Sequence, residues 1–116
     1  MNIQVTPLDQ DGNIIGLTFE GRLDAASREM AKAELHRQLA TPATTLVIDM
    51  SGIPFVDSSG LSALVSGLRV AREQGKDIVL VHPNKQAQMI FDLTMMDRVF
   101  SIYPSMEVAL EHLHAS

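Results

Sequence analysis

The first twenty residues show a pattern of apolar and polar positions that predicts paired β-strands. Ile3, Val5 and Leu8 precede a turn-like stretch, 9–13, and an extended apolar segment, 14–19, resumes after it. Apolar runs on either side of a short segment rich in Asp, Gly and Asn are typical of a β-hairpin. The chain is therefore expected to open with an antiparallel pair of strands.

Helical spacing begins after this hairpin. Asp24 stands at the expected N-cap position, because its carboxylate can accept hydrogen bonds from the free backbone N–H groups of a first helical turn. Ala31, Leu35 and Leu39 recur every four residues and predict one buried stripe. The first helix is expected to span residues 25–40.

The central part of the chain combines a strand-like run with a helix-spaced one. The nearly unbroken apolar segment 46–50 is typical of a strand covered on both faces, so it is expected to lie centrally in a sheet. The next four regularly spaced apolar residues are Leu61, Leu64, Val65 and Leu68. Their spacing predicts an amphipathic second helix that begins at Ser58, runs to Gln74 and stops at Gly75.

Two further strand and helix pairs complete the pattern. Residues 77–82 and 99–103 have the apolar content of buried strands, and Asn84 and Ser105 stand where helix N-caps are expected. The residues of the third helix that are expected to face the sheet are Ala87, Ile90, Phe91 and Leu93.

This order of elements predicts an α/β fold. Strands joined by helices favour parallel neighbours, whereas the hairpin supplies an antiparallel pair, so the sheet is expected to be mixed. About four α-helices are expected to pack on it. The length of 116 residues suits one domain, and the chain shows no internal repeat or polar linker. Residues 1–116 are therefore expected to form a single domain.

Composition narrows the possible functions. The chain has no cysteine, which excludes a disulfide framework and is compatible with the reducing cytoplasm. The formal net charge of −5 opposes binding to nucleic-acid phosphates, and one Tyr, four Phe and no Trp are too few for a base-stacking platform. No signal peptide or bilayer-length apolar run is visible. We expect a cytoplasmic protein that neither binds nucleic acid nor inserts into membranes.

The segment Asp57-Ser58-Ser59-Gly60 carries the most distinctive chemistry of the sequence. It places a carboxylate and two hydroxyls at the start of the second helix. One interpretation is structural: Asp57 or Ser58 caps the helix and Gly60 is a spacer. The other is that a hydroxyl here accepts a phosphoryl group, because helix N-termini stabilise anions. Such a phosphate would change the surface while leaving the fold intact.

The outward face of the second helix is composed of small residues. When the helix is projected at about 100° per residue, Ser62, Ala63, Ser66 and Val70 lie opposite the leucine stripe, with Gly67 alongside. Solvent-facing helices usually carry long charged side chains, and a glycine costs about 1 kcal/mol relative to alanine. Close approach by a partner protein would explain these residues, and so would tolerance of small side chains at a surface.

Catalytic and metal-binding interpretations have little support. Ser58 lacks the Gly-x-Ser-x-Gly elbow of hydrolases, and nothing in the sequence pairs it with a histidine base. His112 and His114 point about 200° apart on a helix and do not converge on a metal ion. Asp49 lacks the acidic pair and lysine of a phosphate-receiver site. The chain is expected to be a non-enzymatic binding protein with no cofactor and no metal.

Four segments in this order resemble the STAS family, the domain shared by bacterial anti-sigma-factor antagonists and the cytoplasmic tails of sulphate transporters. The segments are 21–24 (GRLD), 46–50 (LVIDM), 55–61 (FVDSSGL) and 91–96 (FDLTMM), which together span most of the chain. The combination is far more specific than any one segment.

The resemblance implies a partner-switching function. An anti-sigma factor with serine-protein kinase activity would bind the unmodified domain, release a sigma factor, and then use ATP to phosphorylate the first serine of the motif, here Ser58. Phosphorylation would abolish binding, and a PP2C-type phosphatase would reverse it. The expected partner-binding residues are Asp24, Asp57, Ser58, Ser59, Gly60, Ser62, Ala63, Ser66, Gly67 and Val70.

A second hypothesis uses the same surface differently. STAS domains also occur in phospholipid-transport complexes, where this chain would be a constitutive assembly subunit that needs no phosphorylation. From its length, the chain is expected to be a stand-alone domain and not the tail of a transporter. The sequence leaves these two hypotheses open.

Overall fold

The computed structural model describes residues 1–114, which form five strands and four α-helices. The strands are β1 Asn2–Pro7, β2 Ile14–Glu20, β3 Thr45–Gly52, β4 Asp77–Val81 and β5 Ser101–Tyr103. The helices are α1 Arg28–Leu39, α2 Ser58–Glu73, α3 Lys85–Leu93 and α4 Met106–His114, and a 3₁₀ turn, Met96–Arg98, precedes β5.

The strands form one mixed sheet in the order β1-β2-β3-β4-β5. β1 and β2 are antiparallel and the other neighbours are parallel. The turn of the hairpin is held by the Asp9 carboxylate, which accepts hydrogen bonds from the N–H groups of Asn13 at 2.9 Å and Ile14 at 3.2 Å. The predicted α/β fold, with its opening hairpin and central β3, is confirmed.

The two faces of the sheet are covered unequally. On one face Leu46, Ile48 and Met50 of β3 lie in the main core, beneath α1, α2 and α3. On the other face Val47 belongs to a smaller cluster with Ala109 of α4. Since β3 is covered on both sides, its sequence is almost continuously apolar.

The predicted start of α1 is wrong by three residues. Asp24 accepts hydrogen bonds from the N–H groups of Ala26 and Ser27, but these residues form a separate turn and the helix begins at Arg28. The Ser27 hydroxyl donates to the carbonyl of Arg22 at 2.7 Å, which fixes this turn before the helix. Asp24 therefore closes a local turn instead of capping α1.

The prediction for α3 is wrong at Leu93. Ala87 and Phe91 are buried and Ile90 packs partly against the core, but 74% of Leu93 is exposed. Leu93 lies two residues after Phe91, so it projects about 200° away from it around the helix. Asn84 caps this helix as predicted, with its side-chain oxygen 2.8 Å from the N–H of Ala87.

The second helix begins at the predicted Ser58 and ends at Glu73, one residue before the predicted end, but it is buried on two sides. Its leucine stripe packs into the core, and a second stripe of small residues, which includes Ala63 and Gly67, is also buried. A Cβ atom on Gly67 would lie 2.7 Å from Cδ1 of Leu35 in α1 and 3.2 Å from Cδ1 of Ile78. The predicted outward position of Ala63 and Gly67 is therefore wrong, because close approach of α1 requires these small residues.

Gly60, in the first turn of α2, makes a closer contact still. A Cβ atom here would overlap the backbone carbonyl oxygen of Leu23 and lie 2.5 Å from the carbonyl carbon. Backbone cannot move aside as the end of a side chain can. Gly60 is thus required for the approach of the loop after β2 to the start of α2.

We expect Gly60→Ala to lower the free energy of unfolding by about 3 kcal/mol, at the upper end of the usual cost of overpacking. Urea denaturation followed by circular dichroism measures this change. The matched control is Gly67→Ala, which should cost less because Leu35 can shift and alanine gains about 1 kcal/mol in helix propensity. A Gly60→Ala protein as stable as the wild type would contradict the close contact.

Candidate functional site

The segment that precedes α2 is held on both sides by hydrogen bonds. On one side the N–H of Leu23 donates to the carbonyl of Phe55 at 2.9 Å, and the N–H of Asp57 donates to the carbonyl of Leu23 at 3.2 Å. On the other side the amide of Gln86 accepts from the N–H of Val56 at 2.9 Å and donates to its carbonyl at 2.7 Å. The segment is therefore paired like a strand within a sheet.

Asp57 is the N-cap of α2. Its backbone is extended, and its Oδ1 atom accepts a hydrogen bond from the N–H of Gly60 at 2.9 Å. The capping interpretation is thus confirmed for Asp57. The cap leaves the hydroxyl of Ser58 unused, so capping and modification of this segment are compatible.

Ser58 and Ser59 differ in accessibility. Ser58 is exposed, and within residues 1–114 no hydrogen bond occupies its hydroxyl. Ser59 is half-buried, and its carbonyl accepts a hydrogen bond from the Ser62 hydroxyl at 2.6 Å. Ser58 therefore presents the more accessible hydroxyl of the motif.

Asp24 lies next to this segment because it follows Leu23 directly. Its Oδ2 atom is 3.2 Å from Nε of Arg22, whose guanidinium lies 4.4 Å from the ring centroid of Phe55. Desolvation by itself would raise the pKa of Asp24. The hydrogen bonds from Arg22 and from the N–H groups of the following turn outweigh it and hold the pKa below the ordinary value of 3.8.

A groove of about 450 Å³ opens beside Ser58, between α1 and α2. Arg28 and Lys32 of α1 line it, together with Ser62 and Arg69 of α2. In the groove, Nε of Arg28 donates a hydrogen bond of 2.9 Å to the Ser62 hydroxyl. None of the described residues that line the groove is acidic. The groove is therefore locally cationic in a chain whose net charge is −5.

Sequence reasoning missed these cationic residues. Arg28 and Lys32 are four residues apart, so they share one face of α1, and this spacing was the available signal. It becomes informative only once α1 is known to pack beside α2. The pairing of Gln86 with Val56 was missed for a similar reason, because the two residues are distant in sequence.

The remaining candidate residues fall into two groups. Ser62 and Ser66 line the groove and are half-buried. Val70 is also half-buried but packs against the core. Ala63 and Gly67 are fully covered within the chain and cannot contact a partner directly. The accessible candidate surface is therefore the start of α2 together with the groove.

Across residues 1–114, no group of three or more His, Cys, Asp or Glu side chains is placed to hold a metal ion. Within the same range, no helix combines the length and apolar character needed to cross a bilayer.

Comparison with known proteins identifies relatives of this arrangement. The family model of the STAS domain matches residues 6–109. The anti-sigma-B factor antagonist of Listeria monocytogenes is 24% identical over 102 residues, which cover 88% of this chain and 90% of that protein.

Solved structures show the same fold at low sequence identity. The crystal structure of tm1081 from Thermotoga maritima has a TM-score of 0.89 at 21% identity and covers 97% of this chain and 94% of its own. The Bacillus cell fate determinant SpoIIAA in its phosphorylated form has a TM-score of 0.74 at 17% identity, with 97% and 99% covered. These likenesses confirm the predicted STAS-like architecture.

The cap geometry predicts the effect of two substitutions at Asp57. Asp57→Ala removes the acceptor for the N–H of Gly60 and should lower the free energy of unfolding by about 1 kcal/mol. Asp57→Asn keeps an acceptor oxygen and should cost much less. Urea denaturation of both variants measures the difference. Equal losses in the two variants would show that charge matters here more than capping.

The lowered pKa of Asp24 predicts a pH-dependent contribution to stability. Ionised Asp24 should stabilise the folded state fully above pH 3.8, and this contribution should be lost as the pH falls through the lower pKa of the folded state. Wild type and Asp24→Asn should therefore differ in unfolding free energy at neutral pH and converge in acid. Urea denaturation across this range checks it. In an Arg22→Gln background the pKa of Asp24 should be lowered less, so the effect of Asp24→Asn should depend less on pH. A difference in unfolding free energy that is independent of pH in the otherwise unchanged protein would contradict the prediction.

Proposed function

The chain belongs to the STAS domain family, and from this membership and the geometry around Ser58 we propose that it is a phosphorylation-regulated antagonist of an anti-sigma factor. The unphosphorylated form binds the anti-sigma factor and releases a sigma factor. Phosphorylation of Ser58 abolishes this binding. The protein acts by binding in the cytoplasm and is not itself an enzyme.

The observation that carries this proposal is the position of the Ser58 hydroxyl. It is exposed and unpaired within the described chain, at the start of a helix that Asp57 already caps. A kinase can reach such a hydroxyl without unfolding the helix. The Ser58 oxygen would bond to the γ-phosphorus of ATP as the bond to the ADP oxygen breaks, and the hydroxyl proton would leave to a base of the kinase or to solvent.

The expected effect of the phosphate follows from its charge and place. It adds about 1.5 to 2 negative charges at a helix N-terminus, where the macrodipole favours an anion, so the fold should persist. A partner that packs closely on the start of α2 would meet both the bulk and the charge. Loss of binding without loss of folding is the consequence.

The names of relatives support the proposed class of partner. The curated relative from Listeria monocytogenes is named an anti-sigma-B factor antagonist, and its match covers the segment that contains Ser58 within most of both chains. SpoIIAA, whose structure has the same fold, was solved in a phosphorylated form. By extension, the partner of this chain is an anti-sigma factor that is also a serine-protein kinase, and a PP2C-type phosphatase restores the unmodified form.

Binding measurements with Ser58 variants test the proposal. The purified protein is incubated with a candidate kinase-type anti-sigma factor and ATP, and mass spectrometry locates any phosphate. Isothermal titration calorimetry should then show that Ser58→Ala binds the partner about as tightly as wild type. Ser58→Asp should bind at least tenfold more weakly, because it places a carboxylate in the docking surface.

Ser59→Ala is the matched control, since it changes the neighbouring hydroxyl while leaving Ser58 free. It should still be phosphorylated and should keep its partner affinity. Phosphate found only on a residue other than Ser58, or Ser58→Asp binding as tightly as wild type, would overturn the proposed switch.

A further inference from the structure

The proposed switch gives no role to the cationic groove beside Ser58. We propose that Arg28 of α1 receives the phosphate of modified Ser58 within the same chain. This inference rests on the proposed function, because it specifies what happens to the phosphate after transfer. The groove is then an internal phosphate-binding site that is filled only in the modified state.

The hydrogen bond between Arg28 and Ser62 places the guanidinium within reach. Arg28 Nε lies 2.9 Å from the Ser62 hydroxyl. Ser62 is one helical turn after Ser58, and side chains so spaced lie about 6 Å apart at their Cβ atoms. A guanidinium held at Ser62 therefore needs only a change of side-chain torsion to contact a phosphate on Ser58.

The present partners of Arg28 hold it weakly. They are a neutral hydroxyl and the carboxylate of Glu29, whose side chain is 75% exposed, and such surface ion pairs contribute little. A phosphate offers a guanidinium two parallel, charge-assisted hydrogen bonds, which are stronger. Arg28 should therefore exchange its current partners for the phosphate.

The other charges around Ser58 have distinct positions. Lys32 is one turn beyond Arg28 on the same face of α1, in the direction away from Ser58, because Arg28 contacts Ser62 and Leu35 lies against Gly67 farther along both helices. It lines the same groove and adds positive charge there without contacting the phosphate. Asp57 and Glu29 oppose the phosphate. Arg69 also lines the groove, but it lies eleven residues after Ser58, about 16 Å along the helix axis, and is out of reach.

Capture of the phosphate would change the docking surface in two ways at once. It would place a negative group at Ser58, and it would neutralise Arg28, which the unmodified groove presents to a partner. An acidic group of a partner that pairs with Arg28 in the unmodified state would then lose its counter-charge. The internal site thus makes the phosphate a competitor for the same arginine.

Phosphorus NMR tests the site directly. Phosphoserine is installed at position 58 by genetic-code expansion, so the sample does not depend on any kinase, and the pKa of the phosphate is followed by pH titration. An ordinary phosphoserine has a second pKa of about 6. In this chain we expect it to be lower by about one unit, the effect of a cation in contact.

Three variants of the phosphorylated chain decide the outcome. In Arg28→Gln the phosphate pKa should rise most of the way back to about 6. In Arg28→Lys part of the lowering should remain, which excludes a loss caused by misfolding. Arg69→Gln is the matched control, because it removes the same charge from the same groove and should leave the phosphate pKa unchanged. The Arg28 Nε signal should also move on phosphorylation in the otherwise unchanged protein.

A phosphate pKa near 6 in the otherwise unchanged chain would overturn the inference, as would an Arg69→Gln effect equal to that of Arg28→Gln. Either result would leave the proposed function standing, since partner binding is measured separately. Conversely, a lowered pKa together with unaltered binding by Ser58→Asp would support the internal site and reject the switch.

Discussion

The backbone contact between Leu23 and the segment before α2 is the constraint on which the candidate site depends. The carbonyl of Leu23 accepts a hydrogen bond from Asp57, and it lies so close to Gly60 that no side chain fits between them. This contact sets the N-cap residue at a fixed distance from the loop after β2. The helix start and Asp24 therefore form one rigid surface, although the sequence separates them by more than thirty residues.

A second set of contacts completes this rigidity from the opposite side. Gln86 pairs with both polar backbone groups of Val56, and Asn84 donates to the carbonyls of Ile53 and Pro54. The segment after β2 and the start of α3 thus hold this loop from two sides. Local patterns predicted the hairpin, β3, the start of α2 and the cap at Asn84, because each depends on neighbouring residues. They could not predict the Gln86 pairing, which depends on the tertiary fold.

The error at Ala63 has a general physical cause. Periodicity identifies one apolar stripe and assigns the opposite face to solvent, which holds for a helix that packs on a single surface. In this fold α2 packs on the sheet and also beside α1, so it has two buried stripes. The second stripe is made of small residues because backbones approach closely there, as Gly67 against Leu35 shows. Small residues in a helix therefore indicate a neighbouring helix as readily as a partner protein.

The groove beside Ser58 differs in the sign of its charge from the whole chain. Charges more than about 8 Å apart in solvent are largely screened at physiological ionic strength, so the net charge of −5 has little influence at this point. Arg28 and Lys32 line the same groove as Ser58 and set the local potential instead. A phosphate on Ser58 would add about two negative charges beside these cations. Modification would therefore make this surface less positive and change its hydrogen-bonding capacity while leaving the backbone contact at Leu23 untouched.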